Sequence, residues 1–353
     1  KNQNMSGRRK PAVKVEEKVE EKIAKTVEAK KVVAAAAPRV TRSNARRRRL
    51  LDDDIACDLL SSLPAEVLMH MSVTLWDPLA PEAAVALMSI NRIVRSDLRG
   101  RMPELQEEHR AVRDLCTKVG LAWRELRETR ELFWNSKSLI DSDCDTLALL
   151  CSHGALEGLF RLTLDDNKLG DAGIAALSRS LEASPRRGME RLAVLGLSKN
   201  QIGDAGMASL AGAYAAGALG KLAVLGLSQN ELGDAGIESL ATAVTSAGGG
   251  PSALHALDLA SNRIGNAGVC ALACAFGAGC FGRLTWLNLL QNPSIDREGV
   301  QALTKEVAGG SMSQVKRLWI DRPDDHPELL AACSAHGIHV NGRGANGQMD
   351  VFP

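Results

Sequence analysis

One pattern of residues recurs five times along this 353-residue chain. It reads Leu-x-x-Leu-x-Leu-x-x-Asn-x-(Leu or Ile), and successive asparagines are 33, 30, 32 and 30 residues apart. The fifth copy has one extra residue before its final isoleucine. A degenerate copy begins near residue 129, with Lys137 in the asparagine position, and another covers residues 315–320. Self-similarity at a fixed period of this length predicts stacked structural repeats. The recurring asparagines are Asn167, Asn200, Asn230, Asn262 and Asn292.

Each copy is expected to form one α/β coil. The Leu-x-Leu alternation predicts a short strand whose leucines point inward. Asp141, Asp171, Asp204, Asp234 and Asn266 then stand where a helix N-cap is needed. The helices carry a second apolar triplet, which in the degenerate first copy includes two cysteines that we assign to the core, Cys144 and Cys151. A single coil cannot bury its own apolar face, so we predict a stack with about seven parallel strands over residues 129–340.

These repeats resemble the leucine-rich-repeat family. Their second halves, such as Leu169–Ile174 and Leu232–Ile237, resemble its ribonuclease-inhibitor-like branch. The resemblance implies a right-handed solenoid with parallel strands on the concave face and helices on the convex face. It also implies that the five asparagines form an internal ladder of hydrogen bonds to the backbone. A protein of this kind binds another protein on the concave face, so we expect no catalytic residues and no cofactor.

The charge is unevenly distributed along the chain. Residues 1–50 carry 16 Lys and Arg against 5 Asp and Glu, a net +11, whereas the other 303 residues carry 27 against 37, a net −10. We therefore predict a disordered basic arm over residues 1–58, because it lacks large apolar groups. Its polybasic cluster is open to three interpretations: a solvated tail, a nuclear-import signal, or a weak nucleic-acid contact. The cluster is Arg46, Arg47, Arg48 and Arg49.

Residues 59–100 are predicted to be helical, with one helix beginning near Pro64 and a second after Pro81. This segment resembles an F-box, the module that docks on the adaptor of a cullin-based ubiquitin ligase. Residues that match the motif, and would dock on the adaptor, are Leu63, Pro64, Glu66, Val67, Leu68, Met71, Leu87 and Ile90. The family's tryptophan near the end of the motif is missing at residues 93–95, and residues 79–82 resemble an insertion.

Three functions remain open for the whole chain. The order of an F-box-like segment followed by repeats is similar to that of ubiquitin-ligase substrate receptors. In the alternative, the chain is an interaction scaffold and residues 59–100 only cap the solenoid. A distant third interpretation is a GTPase activator, but the tail over residues 341–353 has only Asp350 where that family has an acidic run. We expect a further helix over residues 104–128 to link this segment to the first coil or cap it, and we expect residues 341–353 to be flexible.

The alternation within the strands also predicts which residues face a partner. The middle coils present small residues on the concave side, whereas the C-terminal coils present tryptophan, arginine and polar groups. Trp and Arg dominate binding hot spots, although both tryptophans could instead pack beneath a C-terminal cap. The predicted partner-binding residues are Arg161, Asp258, Trp286, Asn288, Leu290, Arg317, Trp319 and Asp321.

Other chemistry has weak support in the sequence. Cys270, Cys274 and Cys280 are close together but lack a fourth ligand, so we interpret them as structural and expect no metal site. No apolar run reaches about 18 residues, so we expect no membrane span. The N-terminus lacks an apolar leader, and the even number of cysteines is no evidence for disulfides in a chain this long, so we expect the cytosol, the nucleus or both. We expect a monomer.

Overall fold

A computed structural model describes residues 92–122, 125–183, 189–246 and 253–342, with side chains described from residue 103 onward. The chain divides into two compact units; of the described residues, 92–96 belong to the first and 97–342 to the second. The repeats lie in the second unit. The basic arm, the F-box-like segment as far as residue 91 and the tail from residue 343 lie outside the described residues. The roles predicted for those segments stay predictions.

Eight parallel strands form one sheet, in the order in which they occur in the sequence. Equivalent repeat positions are direct neighbours, so that Leu195 of one strand pairs with Leu225 of the next. The chain is therefore a leucine-rich-repeat solenoid. The strands are β1 (Glu131–Phe133), β2 (Arg161–Thr163), β3 (Val194–Gly196), β4 (Val224–Gly226), β5 (Ala256–Asp258), β6 (Trp286–Asn288), β7 (Arg317–Trp319) and β8 (His339–Asn341).

The prediction of about seven strands was one short. Residues 327–340 form another helix and most of β8, and Val340 pairs with Leu318. The eighth strand is hard to recognise in the sequence because its coil keeps only Ile338 and Val340 of the apolar pattern and has Ala345 at the position of the repeating asparagine.

Helices alternate with the strands and pack against one another in order. They are α1 (Arg92–Val119), α2 (Asp141–Ser152), α3 (Asp171–Ala183), α4 (Asp204–Ala215), α5 (Asp234–Ser246), α6 (Asn266–Gly277), α7 (Arg297–Ala308) and α8 (Pro327–Ala335), with a short 3₁₀ turn at Pro323–Asp325. Among the described residues, no helix is both long enough and apolar enough to cross a bilayer.

Helix α1 corrects the helix boundaries that the sequence predicted. We expected one helix to end near residue 100 and another to cover 104–128, but a single helix passes through Pro103 and ends at Val119. Its C-terminal half buries Val112, Leu115 and Val119 in the same apolar cluster as Leu132 of the first coil. This part of α1 therefore covers the N-terminal end of the coil stack.

The core is a stack of leucines between the sheet and the helices. Leu162, Leu257 and Leu287, from three of the strands, are 0% exposed. Burial of each such side chain contributes about 1.5–3 kcal/mol. The prediction that Cys144 and Cys151 are core residues is confirmed, since their side chains are 1% and 0% exposed.

The repeating asparagines bond neighbouring coils to one another. Asn230 Nδ2 donates to Leu227 O of its own coil at 3.0 Å and to Leu197 O of the preceding coil at 2.9 Å. Its Oδ1 accepts the Ile202 N–H, also of the preceding coil, at 3.1 Å. The same kind of arrangement is found at Asn167, Asn200, Asn262 and Asn292.

A second set of hydrogen bonds links the coils at the helix N-termini. We expected the aspartates here to be N-caps, but Asp204 is the first residue of α4 and Gly203 is the N-cap. The Asp204 Oδ1 instead accepts from Gly233 N–H at 2.7 Å and Gly236 N–H at 2.9 Å, both in the next coil. The carboxylate therefore satisfies donors at the N-terminus of the following helix, where anionic groups are favourable. Asp141, Asp171, Asp234 and Asn266 make equivalent contacts.

Candidate functional site

The outward side of the sheet is the surface that the fold leaves available to a partner. We call it the strand face, and it comprises the residues that alternate with the inward leucines of each strand, together with the residue two positions after each strand. The strands fix three parallel rows on this face. The first row is Glu131, Arg161, Val194, Val224, Ala256, Trp286 and Arg317; the second is Phe133, Thr163, Gly196, Gly226, Asp258, Asn288 and Trp319; the third is Asn135, Asp165, Ser198, Ser228, Ala260, Leu290 and Asp321.

The N-terminal end of the strand face presents an aromatic ring beside charges. Phe133 is 58% exposed, which is unusual for a large apolar side chain. Arg161 Nε lies 3.8 Å from Glu131 Oε1 across the β1–β2 pair. Arg161 is therefore partly neutralised within the chain, and its exposed pairing contributes little to stability.

The middle of the strand face consists of small residues and one carboxylate, that of Asp165. Its Oδ1 accepts the Ser198 N–H at 2.7 Å. A Cβ atom added to Gly196 would lie 2.7 Å from Asp165 Oδ2, so the absence of a side chain there makes room for this carboxylate. Burial raises the pKa of Asp165, while the hydrogen bonds from Ser198 and the charge of Lys199 lower it.

Asp258 lies further along the same face and is fully buried, at 0% exposure. Its Oδ1 accepts the Ala260 N–H at 3.2 Å, but among the described residues its buried Oδ2 has no hydrogen-bond partner. Burial raises the pKa of Asp258, and the Ala260 N–H together with the nearby Ser228 and Asn288 side chains opposes the shift. The charge of Asp165 also raises it.

The C-terminal end of the strand face combines aromatic, charged and amide groups. Trp286, Leu290 and Trp319 are partly exposed, and Arg317 is exposed. Neither tryptophan belongs to the apolar cluster of the core. Trp319 Nε1 is buried and, within the described part of the chain, lacks a hydrogen-bond partner.

Two amide-rich contacts order the loops at this end. Asp321 Oδ2 accepts the Gln291 N–H at 2.6 Å, and Asn288 Oδ1 accepts the Leu290 N–H at 3.1 Å. Asn288 is only 2% exposed. We expected Asp258 and Asn288 to face a partner, but the structure buries both, and Asn288 and Ser228 lie beside Asp258 on the same face.

A cavity of about 150 Å³ opens near the last coils. The ladder of asparagines stops here, because residue 323, which follows Asn292 by one repeat, is proline. This cavity was not predicted from the sequence, and Pro323 in place of an asparagine is the signal that could have revealed it. Its polar lining consists of Asn292, Asp296, Arg297, Asp321, Arg322, Asp325 and His326.

The other candidate residues from the sequence form no further site among the described residues. No group of His, Cys, Asp and Glu there has the geometry of a metal site. Cys280 is buried, Cys270 is partly exposed and Cys274 is exposed on α6. Burial raises the pKa of the Cys144 and Cys151 thiols to about 12, so both stay protonated at neutral pH. The F-box-like residues and the polybasic cluster lie outside the described part of the chain.

Comparisons with known proteins identify the repeats. A family model described as "Leucine Rich repeat" matches residues 192–211, 221–241 and 252–273. No curated protein sequence matches the chain. Among solved structures, an internalin from Listeria monocytogenes has 15% sequence identity and a TM-score of 0.20, covering 67% of this chain and 94% of the internalin chain. A similarity at that TM-score supports no argument about function.

Proposed function

We propose that this chain is a protein-binding module that contacts its partner with the C-terminal half of the strand face. Proteins built from leucine-rich repeats generally mediate protein–protein interactions. The observation that carries the proposal is the group of half-buried tryptophans, Trp286 and Trp319, which lie beside Arg317 on that face and outside the core. Trp and Arg are enriched among hot-spot residues, and partial burial holds a ring in place before binding.

The dimensions of the strand face support the same proposal. Eight strands at about 4.8 Å spacing extend over roughly 34 Å. A partner seated along this length can bury about 800 Å² on each side, the size of a standard interface. The described residues contain no cluster of metal-ligating side chains that would favour a different kind of site.

The experiment compares partner recovery by the wild-type chain and two variants. Trp319→Ala changes the strand face, and Lys305→Ala changes an exposed residue of α7 as a matched control. We expect Trp319→Ala to weaken binding by about 30-fold, since a hot-spot truncation costs about 2 kcal/mol. Lys305→Ala should bind as the wild type does. Equal loss in both variants, or none in Trp319→Ala, would place the interface elsewhere.

We further propose that the segment over residues 59–100 docks on the adaptor of a cullin-based ubiquitin ligase. The supporting observation is that Leu115 and Val119 of α1 already cover the first coil in the apolar core. The F-box-like residues before α1 are therefore not needed for that contact. The chain would then be a substrate receptor, with its substrate on the strand face.

Deletion of residues 59–91 tests this second proposal while leaving α1 intact. We expect an unchanged melting temperature and loss of co-purification with a ligase adaptor. A large loss of stability would instead show that the segment caps the solenoid. If the intact chain never binds such an adaptor, the interaction-scaffold interpretation takes its place.

The basic arm is proposed to bind acidic partners or import receptors through its arginine cluster at residues 46–49. A fluorescent reporter fused to residues 1–58 should accumulate in the nucleus or bind anionic ligands in a salt-sensitive way. A cytoplasmic reporter without salt-sensitive binding would contradict this proposal and leave the strand-face function untouched.

A further inference from the structure

Asp258 Oδ2 and Trp319 Nε1 are buried polar atoms of the strand face that lack hydrogen-bond partners among the described residues. They belong to the same row of the sheet, because Asp258 is paired in register with Asn288 and Asn288 with Trp319. One atom is an acceptor and the other is a donor. One strand lies between their residues, which are therefore two strand spacings, or about 10 Å, apart.

Folding of the solenoid does not explain an aspartate at position 258. In other coils the same position is occupied by Gly196, Gly226 and Thr163. The Thr163 hydroxyl has a hydrogen-bond partner within the chain, since it donates to Leu132 O at 3.4 Å. A buried carboxylate with one unpaired oxygen is unfavourable in the isolated protein. Its presence is therefore better explained by a group that arrives from outside the chain.

The charges around Asp258 indicate what that group is. The nearby charge of Asp165 raises the pKa of Asp258, so the two carboxylates repel one another electrostatically. The Arg161 guanidinium is already paired with Glu131 at 3.8 Å. No lysine or arginine of the described chain forms an ion pair with either Asp165 or Asp258. Lys199 offsets part of the charge of Asp165, whose pKa it lowers, but among the described residues Asp258 has no cationic partner.

Resting on the proposed function, we propose that the protein partner places a lysine or arginine side chain against Asp258 Oδ2 and a main-chain carbonyl against Trp319 Nε1. An extended segment advances about 3.3 Å per residue, so the two contacts lie about three residues apart. Lysine and arginine supply only donors, which matches an ionised acceptor. The indole N–H supplies only a donor, which matches a carbonyl.

Binding must uncover these atoms, because both are buried in the free chain. Strand β6 lies between the strands of Asp258 and Trp319. Trp286 of β6 and Leu290 of the loop after it flank Asn288 in the sequence, and both side chains are partly exposed. Movement of side chains such as these is the step that the proposal requires for the partner to reach the row. The indole of Trp286 therefore reports binding through a change in its fluorescence.

The test selects peptides from a random displayed library against the full-length chain. Selected peptides are expected to share one lysine or arginine, and replacing it by norleucine should weaken binding at least tenfold. Asp258→Asn should weaken the same peptides to a similar extent and remove the effect of the norleucine substitution. Trp319→Phe, which keeps the ring but removes the N–H, should weaken binding about fivefold. Asp166→Asn is the matched control, because Asp166 is exposed and lies outside the row.

The outcomes separate this inference from the proposed function. Peptides that bind the strand face, as shown by sensitivity to Trp319→Ala, but share no basic residue would overturn only the inference. Basic peptides that bind Asp258→Asn as tightly as the wild type would overturn it as well. If no selected peptide is sensitive to Trp319→Ala, both the inference and the strand-face function fail.

Discussion

Replacing Asn230 by alanine is the sharpest test of what holds the coils together. The substitution removes two short donated hydrogen bonds, a longer one to Ser228 O at 3.4 Å and one accepted hydrogen bond from a side chain that is 8% exposed. The backbone groups that lose a contact are not equivalent, and Ser228 O keeps a shorter bond from Lys199 N–H at 2.7 Å. Leu197 O still accepts from Asn200 Nδ2 at 3.0 Å, and Leu227 O still accepts from Asn262 Nδ2 at 3.0 Å.

Only the Ile202 N–H is left without its acceptor, Asn230 Oδ1. An unpaired buried N–H costs about 1–3 kcal/mol, and each hydrogen bond lost from a carbonyl that keeps another donor costs about 0.5–1.5 kcal/mol. The free energy of unfolding should therefore fall by about 2–6 kcal/mol. For a domain of this size each kcal/mol lowers the melting temperature by about 2–4 °C.

Gln229→Ala is the control, because Gln229 is exposed and adjacent in the sequence. Its backbone is left-handed, with φ at 55°, and it remains so whether glutamine or alanine is present. The two variants should be compared by thermal and urea unfolding of the full chain. We expect a clear loss of stability for Asn230→Ala and almost none for Gln229→Ala. Equal melting temperatures would refute the reasoning about shared hydrogen bonds.

Three further predictions follow from the contacts described above. Gly236→Ala should lower the free energy of unfolding by about 1–3 kcal/mol in urea titrations, since the new Cβ would lie 2.7 Å from the Asp204 carboxylate of the preceding coil. Gly158→Ala is the control and should change the free energy of unfolding little, because a Cβ there has nothing within 4 Å. Asp258→Asn should be more stable than the wild type at pH 7, because the folded protein raises the pKa of Asp258 above its ordinary value of 3.8. The wild type therefore loses stability as the pH rises from 3.8 through the pKa of the folded state. The difference in melting temperature between the two proteins should shrink below about pH 4. Iodoacetamide should label the exposed Cys274 well before Cys144, whose pKa burial raises to about 12, as measured by mass spectrometry of the folded chain; equal labelling would show that α2 opens readily.

The regular part of the fold is predictable from the sequence because each coil repeats the same local requirements. Leu225 and Leu257 must point inward for coils to stack, so their spacing alone determines the strand register. The last coil was missed because Ile338 and Val340 satisfy the same core with only part of the pattern. Packing against the preceding coil forms this last strand even though the consensus residues of the repeat are absent.

Contacts between coils were harder to predict than the coils themselves. Asp204 has the residue type and position of a helix cap, yet its carboxylate accepts from Gly233 and Gly236 one coil away. Which N–H donors this carboxylate reaches depends on the distance between stacked coils, which no single repeat specifies. The candidate site is hard to predict for the same reason. The alternation of residues along the strand placed Asp258 on the strand face correctly, but the complete burial of its side chain depends on neighbours from three different coils.

Because successive asparagines share carbonyl acceptors, the length of the solenoid can change in steps of one whole coil. A whole coil, such as residues 200–229, begins and ends in equivalent hydrogen-bonding environments. Removing it in frame would rejoin Asn230 to the coil that precedes Asn200 with the same set of donors and acceptors. The separation between Phe133 at one end of the strand face and Trp319 at the other would then shorten by one strand spacing, about 4.8 Å. Coil number is therefore the quantity that evolution or an engineer can change to fit a partner of different length while keeping both contact groups intact.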